Sequence, residues 1–155
     1  ELKKTGPVVA CLDTSASMEG AAMLKAKALL LVICGILQTE RRSLSVLLFG
    51  SSGQIKELSI ASERDSAKLL SFLRQGFGGG TDFETPLKHA FGIIESKKSY
   101  KKADVLMITD GDCGLSADFV KTVKSKKIAL ECSVYTVLCS GERIKDGFSD
   151  EIIAI

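Results

Sequence analysis

The sequence predicts an α/β protein with a three-layer, doubly wound Rossmann-like sheet. Short apolar runs, typical of buried strands, alternate with longer segments of helical periodicity, and the connections between them are short. Two of these runs end in aspartates, at the edge where open α/β sheets usually bind ligands. These observations predict a sheet that is mostly parallel and carries a polar site at its carboxyl edge.

Bulk composition favours one ordinary globular domain over residues 1–155. The chain has 45% hydrophobic and 26% charged residues, which argues against disorder, and its length can bury a substantial core. A net charge of +2 is too small to indicate a nucleic acid or a membrane surface as partner. The chain begins at Glu1 without a signal peptide, so we expect a domain cut from a longer protein.

The first strand and first helix are predicted on either side of a polar turn. Val8–Leu12 is a continuous apolar run, as expected of a central strand buried on both faces. A helix from about Gly20 to Gln38 follows, and Lys25 and Lys27 lie off its apolar face. That face is formed by Met23, Ala26, Leu30, Ile33, Cys34 and Leu37.

The next two strands are predicted to form a hairpin. Leu44–Phe49 and Gln54–Ile60 are separated by four residues, too few for a parallel crossover, so the two strands must be antiparallel. Lys56 and Glu57 suit a solvent-facing edge, which makes this third strand the antiparallel edge of the sheet.

Two helices are predicted around a glycine-dense segment. The first starts with a cap at Ser62 or Asp65 and reaches about Gln75; the second spans about Thr85 to Lys97. We expect Leu69, Leu70 and Leu73 to point inward from the first helix, and Leu87, Ala90, Phe91 and Ile94 from the second.

The last third of the chain predicts three more strands and one helix. Ala103–Thr109 is a buried strand, a helix runs from about Ser116 to Lys126, and strands cover Ala129–Leu138 and Glu151–Ile155. Right-handed crossovers then give the strand order 3-2-1-4-5-6. This order makes the first and fourth strands neighbours at the switch point, where Asp13 and Asp110 share one crevice.

Cysteine usage and hydropathy both favour a cytoplasmic protein without a membrane span. None of the five cysteines is in a CxxC spacing, and four have apolar neighbours, which indicates buried free thiols in a reducing compartment. The apolar run Ala26–Leu37 is too short to cross the hydrocarbon core, so we interpret it as a core helix.

Five oxygen-bearing side chains are predicted to meet at the carboxyl edge of the sheet. They are two carboxylates and three hydroxyls on three loops: Asp13, Ser15, Ser17, Thr81 and Asp110. The set contains no soft donor, and the single histidine, His89, lies in a helical segment, so zinc, copper and iron are disfavoured. An all-oxygen set suits a hard cation such as Mg2+, with Mn2+ or Ca2+ as alternatives.

Each of the three segments also has a simpler interpretation. The stretch 13–17 could be an ordinary helix cap, the segment 78–82 a flexible connection, and Asp110-Gly111 a turn. The metal hypothesis depends on the occurrence of all three segments at the predicted strand ends.

The order of these motifs resembles the von Willebrand factor type A family and its metal-ion-dependent adhesion site. That site combines Asp-x-Ser-x-Ser after the first strand, a Thr in a Gly-rich loop and an Asp after the fourth strand. Here the matching positions are the stretch 13–17, Thr81 in Gly80-Thr81-Asp82, and Asp110 in Thr109-Asp110-Gly111. The resemblance extends from about Val8 to Ile155.

The resemblance implies a binding module and not an enzyme. In the family, Ser15, Ser17 and Thr81 would contact the metal, while Asp13 and Asp110 would act mostly through waters and hydrogen bonds to the hydroxyls. Neutral oxygens leave the cation much of its charge, so it attracts an Asp or Glu side chain of a protein partner. We expect Asp13 and Thr81 at the rim of the sheet and not in its core, so Asp13→Ala or Thr81→Ala should weaken partner binding far more than stability.

A narrower resemblance is to bacterial cytoplasmic members of the ViaA type, which work beside MoxR-type AAA+ ATPases. Gly6-Pro7 and Gly79-Gly80-Thr81-Asp82 are the residues that carry it. It implies a MoxR-type ATPase as partner. The helix that usually follows the sixth strand in the family is not in this sequence.

Several polar residues outside the five have other interpretations. Asp82 could hold a metal-bound water or cap the following helix, and Asp112 is expected to be a solvated loop residue. His89 is expected on or near the surface. Two groups of lysines are expected to be solvated helix ends, because no aromatic residues are interleaved for base stacking: Lys97, Lys98, Lys101, Lys102, and Lys121, Lys124, Lys126, Lys127.

Two other functional classes remain as alternatives to the binding module. A Mg2+-dependent phosphatase or phosphoryl-transfer enzyme would use Asp13 as nucleophile, but the position two residues later is Ser15, where haloacid-dehalogenase-type phosphatases need a second Asp. The chain also has no GxxxxGK[ST] loop. The second alternative, a nucleic-acid scaffold, is supported only by the two groups of lysines.

Overall fold

A computed structural model describes residues 6–111, 115–139 and 147–155. Six strands form one sheet in the order β3-β2-β1-β4-β5-β6, which confirms the predicted order. β1 pairs in parallel with both β2 and β4, and β3 is the antiparallel edge strand. The strands are β1 Val8–Asp13, β2 Leu44–Phe49, β3 Ile55–Ile60, β4 Asp104–Thr109, β5 Val134–Leu138 and β6 Glu151–Ala154.

Helices cover both faces of the sheet, as the three-layer prediction requires. One apolar core lies between the sheet and α1 with α3, and a second lies between the sheet and α4 with α5. The helices are α1 Ala21–Thr39, α2 Glu63–Ser66, α3 Leu69–Phe72, α4 Glu84–Ser96 and α5 Ala117–Leu130, with short 3-10 turns at Ala16–Met18 and Lys98–Tyr100. The inner residues predicted for α4 are all buried.

The segment predicted as one helix from Ser62 to about Gln75 is two single-turn helices, α2 and α3. The Ser66 hydroxyl donates to the Glu63 carbonyl at 2.7 Å, an internal bond that competes with helix continuation. Leu69 and Leu73 are buried as predicted, but Leu70 is 61% exposed. Leu70 is a neighbour of Leu69, about 100° away around the helix axis, and lies on the side of this turn that faces solvent.

The boundary between α5 and β5 also differs from the prediction. Ala129 was assigned to the strand, but α5 continues to Leu130 and ends at Glu131, which has a left-handed φ of 51°. The strand starts at Val134. The apolar residues Ala129 and Leu130 suit either element, and only the Glu131 turn separates them.

α1 confirms the prediction of a core helix but is longer than the apolar run suggested. Its 19 residues make it the one helix of the described chain that is long and apolar enough to cross a membrane by length and composition, so the segment is not too short. Ala26, Leu30, Cys34 and Leu37 are buried against the sheet. The opposite face exposes apolar side chains, including Leu24 at 72%.

The four cysteines within the described residues are free and buried, as predicted: Cys11, Cys34, Cys132 and Cys139. Burial raises the pKa of each of these thiols, to about 11 for Cys132. Thiols in this state are poor nucleophiles and act as small apolar side chains. Cys113 lies outside the described residues.

Candidate metal centre

Asp13 is the last residue of the central strand, and both of its carboxylate oxygens accept hydrogen bonds. The Ser15 backbone N–H donates to Oδ1 at 2.8 Å, and the Thr109 hydroxyl donates to Oδ2 at 2.6 Å. Thr109 is the last residue of β4, the neighbouring strand. The parallel pairing of β1 with β4 therefore joins two chain segments 96 residues apart at one carboxylate.

The two serines and Asp110 continue the hydrogen-bonded set outward. Ser15 Oγ and Ser17 Oγ are 3.1 Å apart, and the Ser17 hydroxyl donates to Asp110 Oδ1 at 3.1 Å. Ser15 is buried, Asp110 is half-buried and Ser17 is exposed. Four of the five predicted residues thus form a connected cluster that begins beneath the surface at Asp13 and opens to solvent at Ser17.

The Gly-rich loop that carries Thr81 is held against the same edge of the sheet by backbone hydrogen bonds. The Ala16 N–H donates to the Gly79 carbonyl at 2.9 Å, and the Asp82 N–H donates to the Gly50 carbonyl at 2.7 Å. Gly80 N–H donates to Ser51 Oγ at 3.0 Å. Thr81 is half-buried between these anchored residues, so its loop lies beside the stretch 13–17.

Thr14 fixes the start of this loop, and sequence reasoning gave it no role. Its hydroxyl donates to the Phe49 carbonyl at 2.8 Å and accepts from the Phe77 N–H at 3.1 Å. A Cβ on Gly76 would lie 3.3 Å from Thr14 Cβ, so a glycine allows this close approach. The pattern that could have revealed Thr14 is a hydroxyl residue at a strand end facing a glycine-dense segment.

Asp13 is fully buried, which corrects the expectation that it lies at the rim of the sheet. Burial raises the pKa of the Asp13 carboxyl; the hydrogen bonds from Thr109 and Ser15 oppose this shift, and the negative charge of Asp110 adds to it. Within the described residues, no lysine or arginine forms an ion pair with Asp13. A cation beside the cluster would offset the cost of its buried charge.

The donor chemistry of the cluster fits a hard divalent cation. It offers carboxylate and hydroxyl oxygens, the ligands that Mg2+, Mn2+ and Ca2+ prefer. The carboxylates already accept hydrogen bonds, whereas each hydroxyl has lone pairs for a metal. The residues present therefore suit a metal held through hydroxyl oxygens and waters.

The remaining polar residues have structural partners. The Asp82 carboxylate accepts from the Thr85 hydroxyl at 2.6 Å and the Thr85 N–H at 3.1 Å, so it caps the first turn of α4. His89 is about one-third exposed and lies 2.7 Å from Glu57 Oε1, as expected of a surface helix residue. Asp112 lies outside the described residues. Several predicted solvated lysines pair with carboxylates: Lys97, Lys102, Lys126 and Lys127.

The family model for the von Willebrand factor type A domain matches residues 8–112, which include the whole candidate cluster. The chain belongs to the von Willebrand factor type A family. Its fold agrees with this assignment: a type A domain structure from Catenulispora acidiphila superposes with a TM-score of 0.70 at 18% identity, covering 92% of this chain and 35% of that one.

Curated relatives in the family are longer than this chain. An uncharacterized protein of Methanocaldococcus jannaschii is 31% identical over 156 residues, covering 99% of this chain and 35% of the relative. The regulatory protein ViaA of Proteus mirabilis is 33% identical over 110 residues, covering 71% of this chain and 22% of ViaA. This chain thus spans about a third or less of the curated relatives it matches.

Proposed function

We propose that this type A domain binds a protein partner through a Mg2+ ion that grips an Asp or Glu side chain of that partner. The observation that carries the proposal is the hydrogen-bonded set of Asp13, Ser15, Ser17 and Asp110, which crosses from the buried end of β1 to the surface. Ser17 is exposed, so a partner side chain could approach a metal held there.

The residue roles follow from burial and bonding. Ser15, Ser17 and Thr81 would supply hydroxyl oxygens to the metal, and Asp13 and Asp110 would orient these hydroxyls and metal-bound waters. Asp13 suits such an indirect role because it is fully buried and both oxygens already accept hydrogen bonds. A cation bound mainly by neutral oxygens retains a strong attraction for an outside carboxylate. Mn2+ or Ca2+ could replace Mg2+ in this site.

The proposed partner is a MoxR-type AAA+ ATPase in the cytoplasm. Support comes from the similarity to the regulatory protein ViaA over 71% of this chain and from the buried free thiols, which suit a reducing compartment. The partner's acidic side chain would occupy the metal position that faces solvent beside Ser17.

A binding role accounts for the cluster better than the alternative of a phosphoryl-transfer enzyme. A nucleophilic aspartate must present a free oxygen to its substrate. Asp13 has no solvent exposure, and Ser15 and Thr109 occupy its two oxygens. We therefore propose a non-enzymatic domain, and generic phosphate esters should give no Mg2+-dependent release of phosphate.

The test is binding of the purified domain to a purified MoxR-type ATPase from the same organism, in Mg2+ and in EDTA. We expect complex formation in Mg2+ that is lost in EDTA and in Ser17→Ala. Ser99→Ala is the matched control, because Ser99 is also an exposed serine. It lies in the turn before β4, near the amino end of that strand, whereas the candidate site is at the carboxyl ends of the strands. Complex formation that survives both EDTA and Ser17→Ala would overturn the metal mechanism. Metal binding by the domain without complex formation would overturn the proposal that the partner is a MoxR-type ATPase.

A further inference from the structure

We infer that Thr109 is a positioning residue for the metal site, because its hydroxyl sets the orientation of the Asp13 carboxylate. Thr109 is 1% exposed, and its hydroxyl donates to Asp13 Oδ2 at 2.6 Å across the β1–β4 pair. Thr109 precedes Asp110 in the motif Thr109-Asp110-Gly111, but it is not one of the five candidate residues, and the sequence alone assigns its side chain no role. The inference rests on the proposed function, since it assigns Thr109 to the same site.

Hydrogen-bond chemistry fixes the direction of this contact. An ionised carboxylate only accepts, so the Thr109 hydroxyl is the donor in this contact; the Gly111 carbonyl is its other acceptor, at the longer distance of 3.3 Å. The remaining lone pairs of Thr109 Oγ1 face the Gly111 N–H at 3.4 Å, in the turn that carries Asp110. One hydroxyl thus contacts the carboxylate of β1 and the turn after β4.

The contact completes the restraint of Asp13. Ser15 N–H holds Oδ1 and Thr109 holds Oδ2, so the plane of the carboxylate is set by one bond from its own loop and one from the neighbouring strand. If the Thr109 bond is lost, only the contacts from Ser15 hold the carboxylate, and Oδ2 loses its donor on the neighbouring strand. The hydroxyls and waters that Asp13 orients would then lose their alignment toward the metal.

A purely structural role is the competing explanation, since buried strand threonines commonly satisfy a neighbouring polar group. Thr136 of β5 provides a matched comparison: it is 2% exposed, and its hydroxyl oxygen is 2.6 Å from Ser149 Oγ. Ser149 is not one of the five candidate residues. Loss of either hydroxyl should therefore affect stability, but only loss of the Thr109 hydroxyl should affect metal binding.

The experiment is a Mn2+ titration, followed by the electron paramagnetic resonance of free Mn2+, with melting temperatures measured in parallel. Thr109→Val should weaken Mn2+ binding about 10- to 100-fold, the usual effect of removing a partner of a metal-site residue. Thr136→Val should keep the wild-type Mn2+ affinity even where its melting temperature falls as much as that of Thr109→Val.

A second pair isolates the hydroxyl if Thr109→Val does not fold. Thr109→Ser and Thr109→Ala both lose the methyl group, and only the serine keeps the donor, so Mn2+ affinity should be retained in the first and lost in the second. Equal Mn2+ affinity in this pair, or an equal loss in Thr136→Val, would overturn the inference while leaving the metal site intact. Wild-type protein that binds no Mn2+ would instead overturn the proposed function and the inference with it.

Discussion

Asp13 combines three properties that favour a nearby cation. It is fully buried, its two oxygens are held in place, and Asp110 adds a second negative charge to the same cluster. Because the pKa of Asp13 is raised in the folded state, its charge costs stability above that pKa, and this cost is relieved as the pH falls through it. A bound divalent cation would reduce the same cost at neutral pH.

Asp13→Asn should separate metal binding from stability. The amide oxygen can still accept from Ser15 N–H, the amide nitrogen can donate to Thr109 Oγ1, and the buried charge is removed. We expect a melting temperature in EDTA at least equal to that of the wild type, together with loss of the stabilisation that Mn2+ gives the wild type. A clear destabilisation in EDTA would show that the charge is needed for folding itself.

At the scale of the element, the local sequence does not distinguish Thr109, whose hydroxyl bonds Asp13, from other strand threonines. Asp13 and Asp110 could be predicted because they stand directly after apolar runs, and Ser15, Ser17 and Thr81 because they lie in segments rich in Ser, Thr, Asp and Gly. Thr109 belongs to an apolar run and looks like an ordinary β-branched strand residue. Its contact with Asp13 depends on the register between β1 and β4, which no local pattern encodes.

The ends of helices and strands are also only partly predictable from the local sequence. The split of the segment 62–75 into α2 and α3 depends on where Leu69, Phe72 and Leu73 find core contacts, and the end of α5 depends on one left-handed residue, Glu131. Both features are set by packing and turn geometry and leave little trace in hydrophobic periodicity. The predicted bounds of β1, α1, β2 and α4 agree with the structure within one or two residues.

Thr14→Val should loosen the start of the Gly-rich loop. The substitution removes the acceptor for Phe77 N–H and the donor to the Phe49 carbonyl, and an unsatisfied buried group costs about 1–3 kcal/mol. We expect faster hydrogen exchange at the Phe77 amide and weaker Mn2+ binding. Thr39→Val is the control, since its hydroxyl also bonds a backbone carbonyl, that of Gly35, but at the end of α1. Unchanged exchange at Phe77 would show that Thr14 does not hold the loop.

Asp82→Ala should destabilise α4 while leaving the metal site in place. Asp82 accepts from the Thr85 N–H and hydroxyl, and loss of a helix cap costs about 0.5–2 kcal/mol. Urea unfolding should show this loss, with Asp82→Asn closer to the wild type because an amide oxygen can still cap. Loss of Mn2+ affinity in Asp82→Ala without loss of stability would instead assign Asp82 to the metal site.

At the scale of the whole molecule, strand order is what assembles the site. β1 lies between β2 and β4, so the ends of three strands, at Asp13, Phe49 and Thr109, meet at one edge. The Gly-rich loop then crosses this edge from α3 to α4 and is tied to the ends of β1 and β2. The topology could be predicted from hairpin length and crossover rules, and it accounts for the convergence of residues 13 to 110.

The most direct test of this account is the anomalous diffraction of crystals soaked in Mn2+. A hydroxyl-based site predicts one anomalous peak among Ser15 Oγ, Ser17 Oγ and Thr81 Oγ1, with Asp13 still hydrogen-bonded to Ser15 N–H and the Thr109 hydroxyl. Crystals of Ser17→Ala should show a weaker peak or none. Ordered loops without a peak in the wild type, or a Mn2+ ion bound directly by Asp13 with the Thr109 bond broken, would contradict the account.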